Sequence, residues 1–266
     1  MGRSPLVAFA SSRDSASRSS AAGMLNKVPA ITFAFWVIKL LSTTVGETGA
    51  DYLAVNVGLG TAVTTGMTAA LLVAALLLQL SRDRYVPVAY WLTVVLLSVV
   101  GTQITDILTD DLHVSLYAST AVFAALLAAV FFAWYRNEGT LDINAIDNRR
   151  RELFYWAAIL VTFALGTAAG DLATEALGLG FRVGVLVFGG LIAAICIAWR
   201  LGANVVLAFW LAYILTRPLG ASLGDLLAQS REYGGLGVGT VVTSAVFLTV
   251  IAGLVLAASL PPRRAR

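Results

Sequence analysis

The sequence predicts an all-α, polytopic membrane protein whose eight transmembrane helices form four parallel two-helix repeats in two tandem halves. Of its 266 residues, 59% are hydrophobic and 12% are charged, whereas a soluble domain carries roughly 25% charged residues. The chain contains eight apolar segments of about 19 to 25 residues, each long enough to cross ~30 Å of hydrocarbon. The third observation is an internal repeat.

In this repeat, a tryptophan is followed ten residues later by glycine and fifteen residues later by aspartate. It occurs four times, each time starting in an apolar stretch: Trp36/Gly46/Asp51, Trp91/Gly101/Asp106, Trp156/Gly166/Asp171 and Trp210/Gly220/Asp225. Positions are numbered below from each tryptophan, so the glycine is +10 and the aspartate +15. Successive tryptophans are 55, 65 and 54 residues apart. This spacing indicates a two-helix unit that was duplicated twice, with a longer linker between the halves.

The apolar segments give the predicted order of the spans. Their bounds are 28–50, 58–80, 87–108, 113–135, 153–175, 182–200, 203–227 and 237–260. Each repeat therefore has a motif helix, which carries the tryptophan, glycine and aspartate, and a plainer helix rich in Val, Leu and Ala. Because each repeat crosses the membrane twice, all four motif helices run in the same direction, as in parallel repeats. The halves comprise residues 24–135 and 153–260, joined by a cytoplasmic linker, 136–152.

Charge and composition predict the orientation. Residues 1–23 include the polar, Ser-rich stretch SSRDSASRSS and are predicted to be a disordered cytoplasmic tail, and residues 261–266 form a basic cytoplasmic tail. Of the 18 Lys and Arg residues, 14 lie in the tails and loops of one side, and two, Arg182 and Arg231, lie on the other. This excess marks the cytoplasmic side, so both termini are expected there. The basic residues are therefore topology signals and do not indicate nucleic-acid binding.

Each motif helix carries one polar stripe, because positions +3, +7, +11, +15 and +19 drift slowly around one helix face. Lipid cannot solvate ionisable groups, which therefore face the bundle interior or a water-filled cavity. We expect the +15 aspartates to converge at one depth; the alternative is that they face their own hairpin partners. The ion-binding or proton-carrying candidates are Glu47, Asp51, Asp106, Asp110, Asp171, Glu175 and Asp225, and the pathway or counter-ion candidates are Lys39, Thr43, Ser98, Thr102, Thr167 and Arg217.

The stripes offer only oxygen ligands. They contain no Cys or Met, and the only histidine of the chain is His113. Carboxylates, hydroxyls and carbonyls favour hard cations such as Mg²⁺, Ca²⁺, Mn²⁺, Na⁺ or a proton over zinc and copper. No cofactor is predicted beyond a candidate divalent cation. Lys39 and Arg217 either pair with stripe carboxylates such as Glu47, gate a path, or snorkel to the interface.

The repeated glycines and tryptophans each have alternative explanations. The glycines either unwind the motif helices at a hinge or allow close packing of neighbouring helices. The tryptophans either anchor or pack the helices near the membrane interface, or shape a path. These residues are Gly46, Gly101, Gly166 and Gly220, and Trp36, Trp91, Trp156 and Trp210.

Two stretches, FWVIKLLSTTVGETGADYL (Phe35 to Leu53) and FWLAYILTRPLGASLGDLL (Phe209 to Leu227), resemble a family of bacterial multi-pass membrane proteins. That family is built from four tandem two-helix repeats of unknown function, each with a tryptophan. The resemblance covers residues 24–260 and implies the repeat architecture and the bacterial inner membrane, but no activity. The later repeats have Thr102, Thr167 and Ala221 at +11, where the first has Glu47, so a shared site would be only pseudo-symmetric.

The predicted function is a transporter or channel for a small hard cation, with a divalent metal (Mn, Mg or Ca) as first candidate and proton coupling as one form of the mechanism. One alternative is a proton-coupled exporter of an organic cation. The other is a structural or sensory membrane protein whose acidic stripes stabilise helix packing. The expected partners are the lipid bilayer and the cation. The sequence shows no enzyme signature, such as a nucleophile with a histidine base or a phosphate loop.

Overall fold

The computed structural model describes residues 26–55 and 61–260. These ranges are all-helical, without strands, and contain eight long helices. The predicted tails, 1–23 and 261–266, lie outside the described residues. The helices are α1 (Phe33–Val55), α2 (Thr61–Leu80), α3 (Pro87–Asp106), α4 (Leu116–Glu138), α5 (Arg149–Asp171), α6 (Gly180–Arg200), α7 (Val205–Ala228) and α8 (Thr240–Ser259).

The helices begin and end within about five residues of the bounds that hydropathy predicts, and polar caps explain where α1, α4, α5 and α7 begin. The Thr32 hydroxyl accepts a hydrogen bond from the Phe35 amide, so α1 begins at Phe33 and not at residue 28. Asn148 caps α5 in the same way, and this helix begins inside the predicted linker. At these two helices, the polar cap places the start more accurately than hydropathy does.

Seven of these helices, α2 to α8, are long and apolar enough to cross a membrane. The exception is α1, which has 23 residues but includes Lys39, Glu47 and Asp51. These charged residues lower its hydropathy below that of the other seven. Composition therefore identifies seven membrane-spanning candidates among the described helices, one fewer than the eight predicted.

The four motif helices α1, α3, α5 and α7 form a closed inner ring. Helix α1 packs against α3, α3 against α5, α5 against α7, and α7 against α1. Between 56% and 61% of the span residues of α3, α5 and α7 are buried, against 11% to 22% for α2, α4, α6 and α8. The plain helices therefore form an outer layer. Each packs mainly on the motif helix of the following repeat, and α8 packs on α1.

An aromatic cluster joins the N-terminal ends of the ring helices. An aromatic residue precedes every motif tryptophan and packs on the tryptophan of the next repeat around the ring. The ring centroids are 5.6 Å apart for Phe35–Trp91, 5.4 Å for Tyr90–Trp156, 6.3 Å for Tyr155–Trp210 and 5.6 Å for Phe209–Trp36. Three of the tryptophans are buried, and Trp36 is partly buried. These indoles therefore pack inside the bundle instead of lying on its outer surface.

The +10 glycines lie where neighbouring ring helices approach each other closely. Each faces the +7 residue of the next repeat: Gly46 faces Ser98, Gly101 faces Phe163, Gly166 faces Arg217 and Gly220 faces Thr43. All four glycines lie inside continuous helices. They therefore provide close packing and do not unwind the helix.

We expect Gly101→Ala to lower the free energy of unfolding by about 1–3 kcal/mol, because overpacking strains a tight interface. The added Cβ would lie 2.6 Å from the Phe163 Cβ and 3.2 Å from the Ala164 backbone nitrogen. Thermal unfolding of the detergent-purified protein measures the effect. The matched control is Gly253→Ala in α8, where a Cβ meets no atom within 4 Å. Equal melting temperatures for the two variants would contradict the tight packing.

Candidate functional site

A cavity of about 280 Å³ lies at the C-terminal ends of the ring helices. We call it the acid cavity. All four +15 aspartates line it, one from each repeat, so they converge on one space and not on their own hairpin partners. The acidic lining residues are Glu47, Asp51, Asp106, Asp110, Asp111, Asp171, Glu175 and Asp225, and the others are Thr61, Thr109, Leu116, Phe181 and Gln229.

The four +15 carboxylates have no partners within the described part of the chain. None of them accepts a hydrogen bond or forms an ion pair there, and the Asp51 Oδ2 atom is buried without a partner. A carboxylate that holds membrane helices together does so through a donor on a neighbouring helix. These aspartates are therefore not used to join the helices, and their oxygen atoms are open to a ligand.

The mouth of the acid cavity is shaped by two π-helical turns. They span Ile107–Asp111 and Leu172–Ala176 and directly follow Asp106 and Asp171. The exposed acids Asp110 and Glu175 lie in these turns. Single π-helical turns are rare and frequently occur at functional sites. Helices α1 and α7 end without such a turn in the described residues, so the mouth does not share the symmetry of the ring.

Arg217 lies next to the acid cavity without lining it, and it contacts the lining residue Glu47. Its side chain is fully buried, and its Nη2 atom donates to Glu47 Oε2 at 2.7 Å, to Thr167 Oγ1 at 2.8 Å and to Thr102 Oγ1. Its Nη1 atom donates to the Thr43 carbonyl at 2.9 Å. Glu47, Thr102 and Thr167 are the +11 residues of repeats one to three, which we call the +11 layer. One arginine from repeat four thus binds the equivalent position in all three other repeats.

The local sequence explains how Arg217 reaches this position. Gly166 lies against its aliphatic stem, and a Cβ there would overlap the Arg217 Cβ and Cγ atoms. The predicted pairing of Arg217 with Glu47 is present. Because Arg217 is fully buried, it does not snorkel to the interface.

Lys39 lies at +3, beyond Arg217 from the acid cavity, and is also fully buried. Its Nζ atom is 4.2 Å from the ring centres of both Phe163 and Tyr213 and has no hydrogen-bond partner in the described ranges. Cation–π contacts therefore replace the carboxylate pairing considered from the sequence. Ser98, another stripe residue, is buried against Gly46. Neither Lys39 nor Ser98 lines the acid cavity.

A buried ion pair at the opposite end of the ring was not identified from the sequence. Lys27 Nζ lies 2.8 Å from Glu152 Oε2, and both side chains are buried. Glu152 also accepts hydrogen bonds from Gln79 and Trp156. The predicted linker is therefore partly core, since Ile143 and Ile146 are buried as well. Glu152 lies four residues before Trp156, whereas the stripe extended backwards in steps of four reaches −1 and −5, so the stripe does not include it.

No three His, Cys, Asp or Glu side chains among the described residues are close enough together to hold a metal ion directly. The acid cavity is nevertheless large enough for several water molecules. Such an arrangement suits a cation that keeps part of its hydration shell and contacts the protein through water, as Mg²⁺ does.

Four segments match the family model described as Repeat of Unknown Function (DUF347), namely residues 34–85, 89–140, 154–202 and 208–263. Each segment covers most of one motif helix and all of the plain helix that follows it. No curated protein and no solved structure matches the chain.

We expect Lys27→Met to lower the free energy of unfolding by about 3–5 kcal/mol, because the change leaves the Glu152 carboxylate buried without its cation. Thermal and denaturant unfolding measure the effect. The double variant Lys27→Met/Glu152→Gln removes both charges and should recover most of the loss. A single variant as stable as the wild type would show that the pair contributes little.

Proposed function

The chain belongs to the DUF347 repeat family, and we propose that it is a multi-pass membrane transporter for a small hard cation that binds in the acid cavity. One observation carries this proposal: an aspartate from each of the four repeats lines the same cavity, and none of the four has a partner in the described part of the chain. A structural role would require paired carboxylates, so the geometry favours binding over scaffolding.

Electrostatics supports a cationic ligand. Eight acidic residues line the cavity, and no Lys or Arg is among the lining residues. The ring helices also point their C-terminal ends, which carry partial negative charge, towards it. Charges inside a membrane protein are costly unless they are compensated. A bound cation offsets both the repulsion between the carboxylates and the helix dipoles.

The size and ligand geometry favour a partly hydrated divalent ion, with Mn²⁺, Mg²⁺ or Ca²⁺ as the candidates. The volume of about 280 Å³ is just below the roughly 300–1,000 Å³ of pockets for drug-sized molecules. A small organic cation such as an alkylammonium would also fit, and it is the second candidate. Carboxylates that release a cation take up protons readily, which provides a route to proton exchange.

The filled axis of the ring supports a carrier over an open channel. Arg217, Lys39, Phe163 and Tyr213 are fully buried between the acid cavity and the aromatic cluster. A cation would have to pass these side chains to cross the protein. We therefore propose that the cavity is exposed to one side of the membrane at a time.

We propose that α1 also crosses the membrane, because it occupies one of four equivalent places in the ring. The chain then has eight spans as four parallel repeats, with both termini in the cytoplasm of a bacterial inner membrane. This orientation follows from the distribution of Lys and Arg. In it, the acid cavity opens to the outside.

The binding proposal is tested by the thermal stability of the purified protein in Mn²⁺, Mg²⁺, Ca²⁺, Zn²⁺, Na⁺ and methylammonium. An ion at 100 times its Kd should stabilise the wild type by about 2.7 kcal/mol. Asp106→Asn and Asp171→Asn should lose that response, whereas Asp83→Asn, an exposed acid remote from the cavity, should keep it. The stabilising ion should then be carried into liposomes.

The outcomes of this assay separate the three functions. No response to any ion, with both cavity variants less stable than the wild type, would replace transport with a structural role. A response to methylammonium alone would indicate an organic cation.

The orientation is tested by cysteine labelling in a Cys196→Ala background, since Cys196 is exposed. Arg231→Cys should react with a membrane-impermeant maleimide in intact cells, because the loop before α8 is proposed to face outwards. The matched control, Arg84→Cys in the loop before α3, should react only after lysis. The reverse pattern would place the acid cavity on the cytoplasmic side.

A further inference from the structure

We propose that the +11 layer is itself a second, inner cation site, and that the guanidinium of Arg217 is its tethered occupant. A free cation that enters from the acid cavity competes with Arg217 for Glu47. This inference rests on the proposed function and adds to it a position beneath the acid cavity and a competing charge supplied by the protein.

The ligand atoms around the guanidinium carry this inference. Its two terminal nitrogens bind the Glu47 carboxylate, the Thr102 and Thr167 hydroxyls and the Thr43 carbonyl. All four are hard oxygen ligands, the kind that bind alkali and alkaline-earth cations. They come from three different helices and converge on one point in the ring. Oxygen atoms that converge in this way form a cation site, and its occupant can be a side chain of the protein or a free ion. We call these four oxygen ligands the cage.

The charge of the cage indicates the class of ion. Glu47 supplies its only negative charge, and the other three ligands are neutral. A single positive charge balances it, as the guanidinium does here. A monovalent hard cation such as Na⁺ therefore matches the cage better than a divalent ion does, whereas the many carboxylates of the acid cavity match a divalent ion.

Glu47 connects the two sites. It lines the acid cavity, and its Oε2 atom lies 2.7 Å from Arg217 Nη2. A cation that takes full coordination from Glu47 must displace the guanidinium. The two occupants therefore exclude each other, and each lowers the apparent affinity of the other by mass action.

Lys39 does not share this role, although it is equally buried. Its ammonium faces two aromatic rings and no described carboxylate. Of the two fully buried basic residues in the ring helices, Lys39 and Arg217, only Arg217 contacts an acid of the cavity. This contrast makes Arg217 the residue to vary.

The experiment compares the wild type with Arg217→Met, Arg217→Lys and the double variant Arg217→Met/Glu47→Gln. Binding of Na⁺ and of Mn²⁺ to the purified protein is measured by calorimetry and thermal stability, with choline chloride holding the ionic strength constant. Arg217→Met removes the guanidinium from the cage. The Kd of this variant for Na⁺ should therefore be roughly 5- to 150-fold lower than that of the wild type, the range usual for coupling between two sites. The double variant removes the carboxylate and should lose that gain.

Arg217→Lys keeps the buried charge and so protects against misfolding, but one ammonium cannot reproduce the planar fork of the guanidinium. Its hold on Glu47 should weaken, and its Kd for Na⁺ should lie between those of the wild type and Arg217→Met. If Arg217→Met does not fold, the comparison of Arg217→Lys with the wild type decides the matter. A Kd for Na⁺ in the folded variants that equals or exceeds the wild-type value would overturn the inner site.

The two ions distinguish failure of this inference from failure of the proposed function. Saturable Mn²⁺ binding to the wild type, with no gain in Na⁺ binding in either Arg217 variant, removes the inner site and leaves the acid cavity as the cation site. The opposite result, a gain in Na⁺ binding without any Mn²⁺ binding to the wild type, retains the cage and removes the divalent function of the acid cavity.

Discussion

The close approach of four helix backbones around one axis is the constraint on which the rest of the structure depends. A glycine at +10 in each repeat removes the side chain that would hold neighbouring helices apart. The approach fixes the rotation of each helix, since the glycine must face its neighbour. Position +15 then points into the same space in all four repeats, and the aspartates converge there.

The four repeats differ at positions +7 and +11, and these differences make the two ends of the ring chemically unlike. At +15 all repeats are alike, but at +7 only repeat four has a charged residue, Arg217, and at +11 only repeat one has Glu47. One cation and one anion at different heights can pair across the ring, whereas four identical residues could not. The pair separates an acidic, accessible half from an aromatic, filled half. The repeats share the ring architecture, and their differences at these two positions supply the Arg217–Glu47 ion pair.

Because of the outer helices, each repeat depends on another repeat to bury its motif helix. Each plain helix packs mainly on the motif helix of the next repeat, and α8 packs on the first. A single repeat therefore cannot bury its own motif helix, and the two halves interlock. The Lys27–Glu152 pair adds a further link, because it ties the segment before α1 to the start of α5.

Hydropathy, periodicity and spacing by themselves determined the helical class, the fourfold repeat and the polar stripes, because these depend on residues close in sequence. The sequence also contained an overlooked signal, the aromatic residue before every motif tryptophan. Only the tertiary structure decided that the stripes meet in one cavity and that Lys27 reaches Glu152. It also decided that the +15 aspartates have no partner among the described residues, while Arg217 binds the +11 layer. Those outcomes depend on which helices become neighbours, and a pattern within one helix carries no information about distances between helices.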